Sequence, residues 1–221
     1  MTYPCRQLNS IGICGKGFKP IPWAGAKAMI WRNIFGRSPR DETPYALYAG
    51  LVAQARSPQF YLHMNVPDTA EGRFEMVALH AFLVLRKLRS GGEEGKALGQ
   101  KVFDILFDDM DQTLREMGVG DLSVGKKIKA LASSFYGRIQ AYEEGLGEAA
   151  GERLRDALRR NLYGGLQVRD EQVSSMEDYV RRADRALLDQ PIDDVMAGRA
   201  VFASPPDVTS IEADLTEGEL R

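Results

Sequence analysis

The fold is decided by residues 66–89, which read VPDTAEGRFEMVALHAFLVLRKLR. Asp68 or Thr69 can cap a helix here, because both side chains accept hydrogen bonds from free backbone N–H groups. Apolar residues then recur at helical spacing and are too numerous to leave a wide polar face. The sequence therefore predicts a mostly buried central helix from about Ala70 to Arg89.

Five further helices are predicted around this central helix. Each shows helical spacing of apolar residues and has glycine, proline or capping residues at its ends. They run over residues 43–56, 93–117, 123–145, 148–163 and 174–188. Thr43, Ser123 and Ser174 are the expected N-caps, and Pro58 is expected to begin an extended link. Apart from a short piece at 166–168, no segment alternates like a strand, so the predicted fold class is all-α, a single domain of about six helices.

The two ends of the chain differ in composition from the helical part. The first forty residues contain seven basic side chains and no acidic one, a bias found in transit peptides and in tails that touch anionic lipid. We expect residues 1–42 to be a basic, disordered segment, with Met29 as an alternative start. Residues 43–188 form the predicted helical domain. Residues 189–221 are acidic and poor in aromatics, and we expect a mostly disordered tail there.

Composition argues against several classes of protein. The 29 basic and 31 acidic side chains leave a net charge of −2, so no overall positive field favours a nucleic acid partner. The two cysteines, Cys5 and Cys14, both lie near the N-terminus, which indicates a reducing compartment and no disulfide framework. No apolar run approaches the roughly 18 residues that a membrane-crossing helix needs, so we expect no membrane span.

An acidic cluster is the strongest candidate for chemistry. Asp104, Asp108 and Asp111 fall on one helix face and could bind a divalent cation, as in helical enzymes that ionise isoprenoid diphosphates. The chain offers no clear second acidic motif, and Lys101 and Arg115 are spaced to pair with these acids. We therefore expect no enzyme, metal or cofactor. A helical magnesium-dependent enzyme acting on an isoprenoid diphosphate is the alternative.

Two lysines lie at an unusual place in a helix. Lys126 and Lys127 fall in the first turn of a predicted helix, where the helix dipole disfavours cations. An anionic partner or lipid headgroup would explain them, and so would pairing with Asp121 or Glu116. We hypothesise that both lysines face the membrane or a client protein.

His80 lies in the middle of the apolar central helix. The simplest interpretation is a core histidine held by a hydrogen bond, since a buried ring nitrogen needs a partner. Asp111 or a neighbouring arginine or tyrosine could supply that partner, and the sequence leaves these alternatives open.

An ordered series of short motifs runs from residue 54 to residue 142. The motifs are Gln54-Ala-Arg56, Phe60-Tyr61, Val66-Pro-Asp-Thr69, Gly72-Arg-Phe74, Leu79-His80, Met110-Asp111, Leu114-Arg-Glu-Met-Gly118, Gly120-Asp121, Val124-Gly-Lys-Lys127, Phe135-Tyr-Gly-Arg138 and Ala141-Tyr142. Over about residues 45–188 the chain resembles the ubiquinol-cytochrome c chaperone family in its bacterial form. One departure is Asn65, which stands where a glycine is expected; asparagine tolerates the left-handed conformation, so we expect the turn to be kept.

The resemblance implies an assembly factor that binds newly made cytochrome b and promotes its maturation into ubiquinol-cytochrome c reductase. It implies a place in the cytoplasm, peripheral to the bacterial inner membrane, which corresponds to the matrix side in mitochondria. Eukaryotic relatives act with a second assembly factor. The motif positions expected to bind the client or to support the fold are Arg56, Tyr61, Asp68, Arg73, His80, Asp111, Arg115, Glu116, Asp121, Lys126, Lys127, Arg138 and Tyr142.

Overall fold

The structure, a computed structural model, describes the backbone of residues 39–206 and the side chains of residues 42–206. Over this range it consists of helices and connecting segments, without a strand. The helices are α1 (Pro39–Ala55), α2 (Pro58–Leu62), α3 (Ala70–Leu88), α4 (Gly92–Glu116), α5 (Asp121–Gly147), α6 (Glu152–Asn161), α7 (Asp170–Asp189) and α8 (Ile192–Met196). Six of the described helices have ten residues or more, and α2 and α8 have five each. The predicted all-α fold is confirmed.

Helix α3 is the central helix, as predicted. The hydroxyl of Thr69 accepts a hydrogen bond from the Gly72 N–H at 3.1 Å and caps its first turn. Fourteen of its 19 residues are buried, and it packs against α1, α4, α5, α7 and α8. Every other long helix except α6 therefore lies against the segment that the apolar pattern identified.

The predicted start of α1 and the predicted link after it are wrong. Helix α1 begins at Pro39, so Thr43 is not its cap and Pro44 lies inside the helix. The link expected after Ser57 is the short helix α2, which has Pro58 at its first position. Both helices begin with a proline, Pro39 in α1 and Pro58 in α2. Proline is well suited to the first helical turn, because the N–H that it lacks would have no helical partner there.

Three other helix starts also differ from the prediction. Helix α5 begins at Asp121, two residues before the predicted start, with Gly120 as its N-cap, and the Ser123 N–H already bonds to the Gly120 carbonyl at 2.8 Å. Helix α7 begins at Asp170, four residues before Ser174. Helix α6 begins at Glu152, after a left-handed glycine, and is shorter than predicted. Apolar spacing locates a helix but leaves its first turn undetermined, because that turn is often polar.

The folded part of the chain continues beyond residue 188. After α8, which buries Val195, residues 199–206 lie outside any helix, and Pro206 is buried. Phe202 and Ala203 pack against the core. Part of the segment that was expected to be a disordered tail is thus attached to the helices. The predictions for residues 1–38, including Met29, and for residues 207–221 lie outside the described residues.

The turn before α3 explains why Gly72 follows Val66-Pro67 at a fixed distance. A Cβ atom on Gly72 would lie 2.0 Å from the Pro67 carbonyl oxygen, so this close approach of two backbones requires glycine. Asn65 adopts a φ of 58°, the left-handed conformation expected of a residue in a glycine's place. The turn is therefore kept by asparagine, as predicted.

We expect Gly72→Ala to lower the free energy of unfolding by about 2 kcal/mol or more, because a backbone carbonyl cannot move aside like a side chain. Gly137→Ala is the matched control, since a Cβ on this α5 glycine would meet nothing within 4 Å. That control should be neutral or raise the free energy of unfolding by about 0.5–1 kcal/mol. Urea unfolding measures both, and equal effects would contradict the explanation.

Candidate functional site

The motif residues that the sequence singled out occupy three settings. Four lie in or against the core around α3, three lie at the surface near the turn before α3, and six surround the turn between α4 and α5. The core set comprises Tyr61, His80, Arg138 and Tyr142; the first surface set Arg56, Asp68 and Arg73; and the α4–α5 set Asp111, Arg115, Glu116, Asp121, Lys126 and Lys127.

His80 is fully buried and both of its ring nitrogens have partners. Nδ1 lies 2.7 Å from the Met76 carbonyl oxygen, and Nε2 lies 2.6 Å from the Tyr179 hydroxyl. A carbonyl only accepts, so Nδ1 carries the proton and Nε2 accepts from the hydroxyl. The Gln54 side chain in turn donates to the same hydroxyl at 3.0 Å. The partner is thus a tyrosine, whereas Asp111 lies elsewhere, paired with Arg115.

Burial of His80 also sets its charge. Removal from water lowers the pKa of His80 to about 4, because the charged form loses its hydration, and the hydrogen bond to Met76 opposes this only in part. The ring is therefore neutral at pH 7, where it serves as a structural hydrogen-bonding group.

Arg138 joins α5 to α3 through a bidentate ion pair with Glu75. The Arg138 Nε atom donates to Glu75 Oε2 at 2.5 Å, a terminal guanidinium nitrogen binds the other carboxylate oxygen, and the guanidinium lies 5.8 Å from the Phe74 ring centre. Burial raises the pKa of Glu75 against the opposing effect of Arg138. One turn further along α5, the Tyr142 ring is fully buried 5.7 Å from Phe82. These motif positions hold the helices together.

The motif residues near the turn before α3 make local contacts. The Tyr61 hydroxyl donates to the Ala55 carbonyl at 2.9 Å and ties α2 to the end of α1. Arg73 pairs with Asp68 at 2.6 Å in a solvent-exposed ion pair. Arg56 is exposed at the end of α1. The contacts of Tyr61, from the core set, and of Arg73, from the first surface set, stabilise the connection into α3.

The acidic and guanidinium groups at the α4–α5 turn bind one another. Arg115 pairs with Asp111 at 2.5 Å and also with Asp121, across the turn. Glu116 accepts a hydrogen bond from Gln112 at 2.8 Å. These contacts fasten the end of α4 to the beginning of α5.

Lys126 and Lys127 stand apart from this network. Both are exposed, and neither forms an ion pair with any side chain in residues 42–206. Asp121 and Glu116, the alternative partners suggested by the sequence, are engaged by Arg115 and Gln112 instead. Helix α5 begins at Asp121, so Lys126 and Lys127 are its sixth and seventh residues, and their predicted place in a first turn is wrong. In the second turn of α5, the two lysines present uncompensated positive charge.

Large apolar side chains accompany these lysines. Leu122 is 93% exposed and Met117 is 61% exposed. We call Met117, Leu122, Lys126 and Lys127 together the tip surface. Its apolar members were not predicted from the sequence, because Met117 continues the apolar spacing of α4 and Leu122 is a single residue beside a turn. Only the end of α4 at Glu116 places Met117 outside the core.

The rest of α5 extends the character of the tip surface. Residues 122–142 contain no aspartate or glutamate, whereas they contain three lysines and Arg138, whose charge is paired with Glu75. Val124, Phe135 and Tyr142 turn inward and are buried. This side of the domain is thus suited to an anionic partner or to an apolar one that also carries negative charge.

The acidic face of α4 has other partners than a metal ion. Asp104 accepts a hydrogen bond from Gln100 at 2.7 Å, and Asp109 accepts one from Tyr48 at 2.7 Å. Partial burial, together with the charges of Asp104 and Asp111, raises the pKa of Asp108. In the part of the chain that the structure describes, no three His, Cys, Asp or Glu side chains are arranged to hold a metal ion. The geometry gives no support to the magnesium site.

Comparison with known proteins identifies the family. Residues 62–202 match the family model described as "Ubiquinol-cytochrome C chaperone". The chain belongs to this family. The matched range runs from the end of α2 through α8 to residue 202. It confirms the resemblance that the short motifs indicated.

Solved and curated relatives agree with this family. The crystal structure of the Cbp3 homolog from Brucella abortus shares the fold with a TM-score of 0.69 and 34% identity, covering 75% of this chain and 91% of that chain. The "Ubiquinol-cytochrome c reductase complex assembly factor 1" of Mus musculus is 27% identical over 137 residues, which are 62% of this chain and 46% of the mouse protein. The Drosophila melanogaster protein of the same name is 25% identical over 230 residues, covering 97% and 85%. The chain thus spans less than half the length of its mouse relative.

None of the helices described in residues 39–206 combines the length and the apolar character that crossing a bilayer requires.

Arg138→Gln should lower the free energy of unfolding by roughly 3 kcal/mol, because it leaves the buried Glu75 carboxylate without its partner. Arg73→Gln is the matched control. The side chains of Arg73 and Asp68 are 59% and 58% exposed, whereas those of Arg138 and Glu75 are 18% and 9% exposed. Arg73→Gln should therefore lower the free energy of unfolding by less than about 1 kcal/mol. Equal losses in urea unfolding would contradict a structural role for Arg138.

We expect the stability of the protein to depend on pH through His80. The folded protein protonates this ring near pH 4 and the unfolded chain protonates it near pH 6.5. Its contribution is therefore fully present above pH 6.5 and is lost as the pH falls towards 4, by up to about 3 kcal/mol.

In urea unfolding between pH 7 and pH 5, His80→Gln should lose this part of the pH slope, whereas His63→Gln, which removes the other histidine, should keep it. An unchanged slope in His80→Gln would show that the ring is protonated equally in both states.

Proposed function

We propose that this protein is an assembly chaperone that binds newly made cytochrome b and promotes its maturation into ubiquinol-cytochrome c reductase. Family membership over residues 62–202 supports the class of function, and the names of the mouse and fly relatives support the complex. The observation that carries the proposal in this chain is the tip surface, where exposed apolar side chains lie beside unpaired lysines.

The tip surface has the chemistry that such a client requires. Cytochrome b is a very apolar membrane protein, so its newly made segments expose apolar side chains that would otherwise aggregate. Met117 and Leu122 offer apolar contact area, and neither is needed to fill the core. Lys126 and Lys127 add a charge that orients a partner, since charge complementarity contributes specificity and association rate more than affinity.

We also propose a place on the cytoplasmic side of the bacterial inner membrane, with peripheral contact to the bilayer. Lysines beside exposed apolar residues are attracted to anionic headgroups, each by about 1 kcal/mol near the surface. The acid-free stretch of α5 contains nothing that would oppose this attraction. The proposed function involves no catalytic step, cofactor or nucleic acid, and a second assembly factor, as in eukaryotic relatives, is a further proposed partner.

The test uses tagged full-length protein, crosslinked in growing cells and purified from solubilised membranes. Lys126→Glu combined with Lys127→Glu should lower recovery of cytochrome b about fivefold or more, because the charge that meets the partner is reversed. Lys96→Glu combined with Lys101→Glu makes the same change of charge on exposed residues of α4 and should leave recovery unchanged. Unfolding free energies should stay within about 0.5 kcal/mol for both variants.

The two parts of the proposal fail in different ways. Absence of cytochrome b from the crosslinked wild-type protein would overturn the chaperone function itself. Normal recovery with the tip variant would overturn the role of the tip surface while leaving the function in place.

A further inference from the structure

Residues 199–206, which we call the strap, lie against α1, α3 and α7 without belonging to a helix. The strap follows α8 and ends at the buried Pro206. Because residues outside a helix lack its regular hydrogen bonds, their main-chain N–H and C=O groups need partners elsewhere.

Gln190, at the end of α7, binds the main chain at the start of the strap from both directions. Its amide nitrogen donates to the Arg199 carbonyl at 2.6 Å, and its amide oxygen accepts from the Val201 N–H at 3.1 Å. One side chain thus provides hydrogen-bond partners for the main chain of two strap residues, as a neighbouring β-strand would.

Two further side chains bind the main chain at the end of the strap. Gln54 in α1 donates to the Ala203 carbonyl at 3.0 Å, and Arg182 in α7 donates to the Ser204 carbonyl at 3.3 Å. All four hydrogen bonds are made to main-chain atoms. Three are accepted by carbonyl oxygens, which every residue has, and one is donated by an N–H, which every residue except proline has. This recognition therefore depends on the path of the main chain far more than on its sequence.

Phe202 supplies the main side-chain contact of the strap. Its ring lies edge-on to His80 at 5.3 Å, and the His80 ring is lined further by Phe60 at 5.7 Å and Tyr179 at 5.8 Å. Val201, the preceding residue, points outward and is 63% exposed. Phe202 therefore points inward while its neighbour Val201 points to solvent, as in a bound peptide that places one large side chain in a pocket.

We propose that the groove under the strap is a binding site for an extended apolar segment of a client polypeptide, which displaces the strap and places a large apolar side chain where Phe202 lies. The inference rests on the proposed chaperone function and adds the site at which a client chain is held. The strap itself shows the chemistry of the occupant: four fixed donors and acceptors for an extended main chain, and one aromatic pocket.

A client that is a nascent membrane protein matches these features. Before insertion, its segments expose apolar side chains together with main-chain groups that have no partner, and both are costly to leave in that state. In the free protein, the strap covers the aromatic pocket and prevents unspecific association.

The test measures binding of a fluorescent peptide with the sequence of residues 198–206 to full-length protein. In Phe202→Asp the strap no longer fits the pocket, so the labelled peptide should bind at least about tenfold more tightly than to wild type. Val201→Pro provides a second opening variant, because it removes the N–H bound by Gln190 and changes only an exposed side chain. A peptide with aspartate in place of phenylalanine should bind to neither variant.

Adding Gln54→Ala to either opening variant should abolish the increase in peptide affinity, since it removes a hydrogen-bond donor of the groove itself. Unfolding curves establish that the variants are folded. Peptide binding that stays at the wild-type level in both folded opening variants would overturn the groove. Loss of cytochrome b from crosslinked wild-type protein, with peptide binding intact, would instead overturn the chaperone function on which the groove's natural occupant depends.

Discussion

The fold depends on burying a helix that is not wholly apolar. Helix α3 contains Glu75, His80 and Lys87 among its buried residues, and each must find a partner because water cannot reach it. Arg138 from α5 meets Glu75, and Tyr179 from α7 meets His80. The Lys87 ammonium donates to the carbonyls of residues 188 and 190, at 2.8 and 2.5 Å, where α7 ends and its last carbonyls have no helical partner. Specific polar contacts thereby fix how the surrounding helices are placed.

Sequence reasoning recovered the fold class and the bounds of α3, but much less of the contacts. Thr69 and the dense apolar pattern define α3 locally, so no tertiary information was needed. The start of α5 was misjudged because both Gly120 and Ser123 can cap a helix, and one polar turn does not change the apolar spacing. The partner of His80 lies 99 residues further along the chain, and no local pattern indicates Tyr179 rather than another polar residue.

The structure also distinguishes motif positions that the packing of the core requires from motif positions that it does not require. Gly72, His80, Arg138 and Tyr61 each have a packing explanation, so their presence in the motif series reflects the requirements of the core. The tip lysines have none among the described residues, since both are exposed and neither forms an ion pair there. A motif position without a structural purpose is the stronger indication of a partner, and this distinction could not be drawn from the sequence.

The hydrogen bonds that run from the strap into the core have a fixed direction. The Ala203 carbonyl can only accept, so the amide of Gln54 must turn its NH2 group towards it and towards the Tyr179 hydroxyl. That hydroxyl then has to give its proton to His80, whose other nitrogen gives its own to Met76. The Met76 carbonyl thus fixes the imidazole tautomer from within α3, and the Ala203 carbonyl fixes the orientation of the Gln54 amide from the strap. A single chain of hydrogen bonds therefore links the main chain of the strap to the ring of a fully buried histidine.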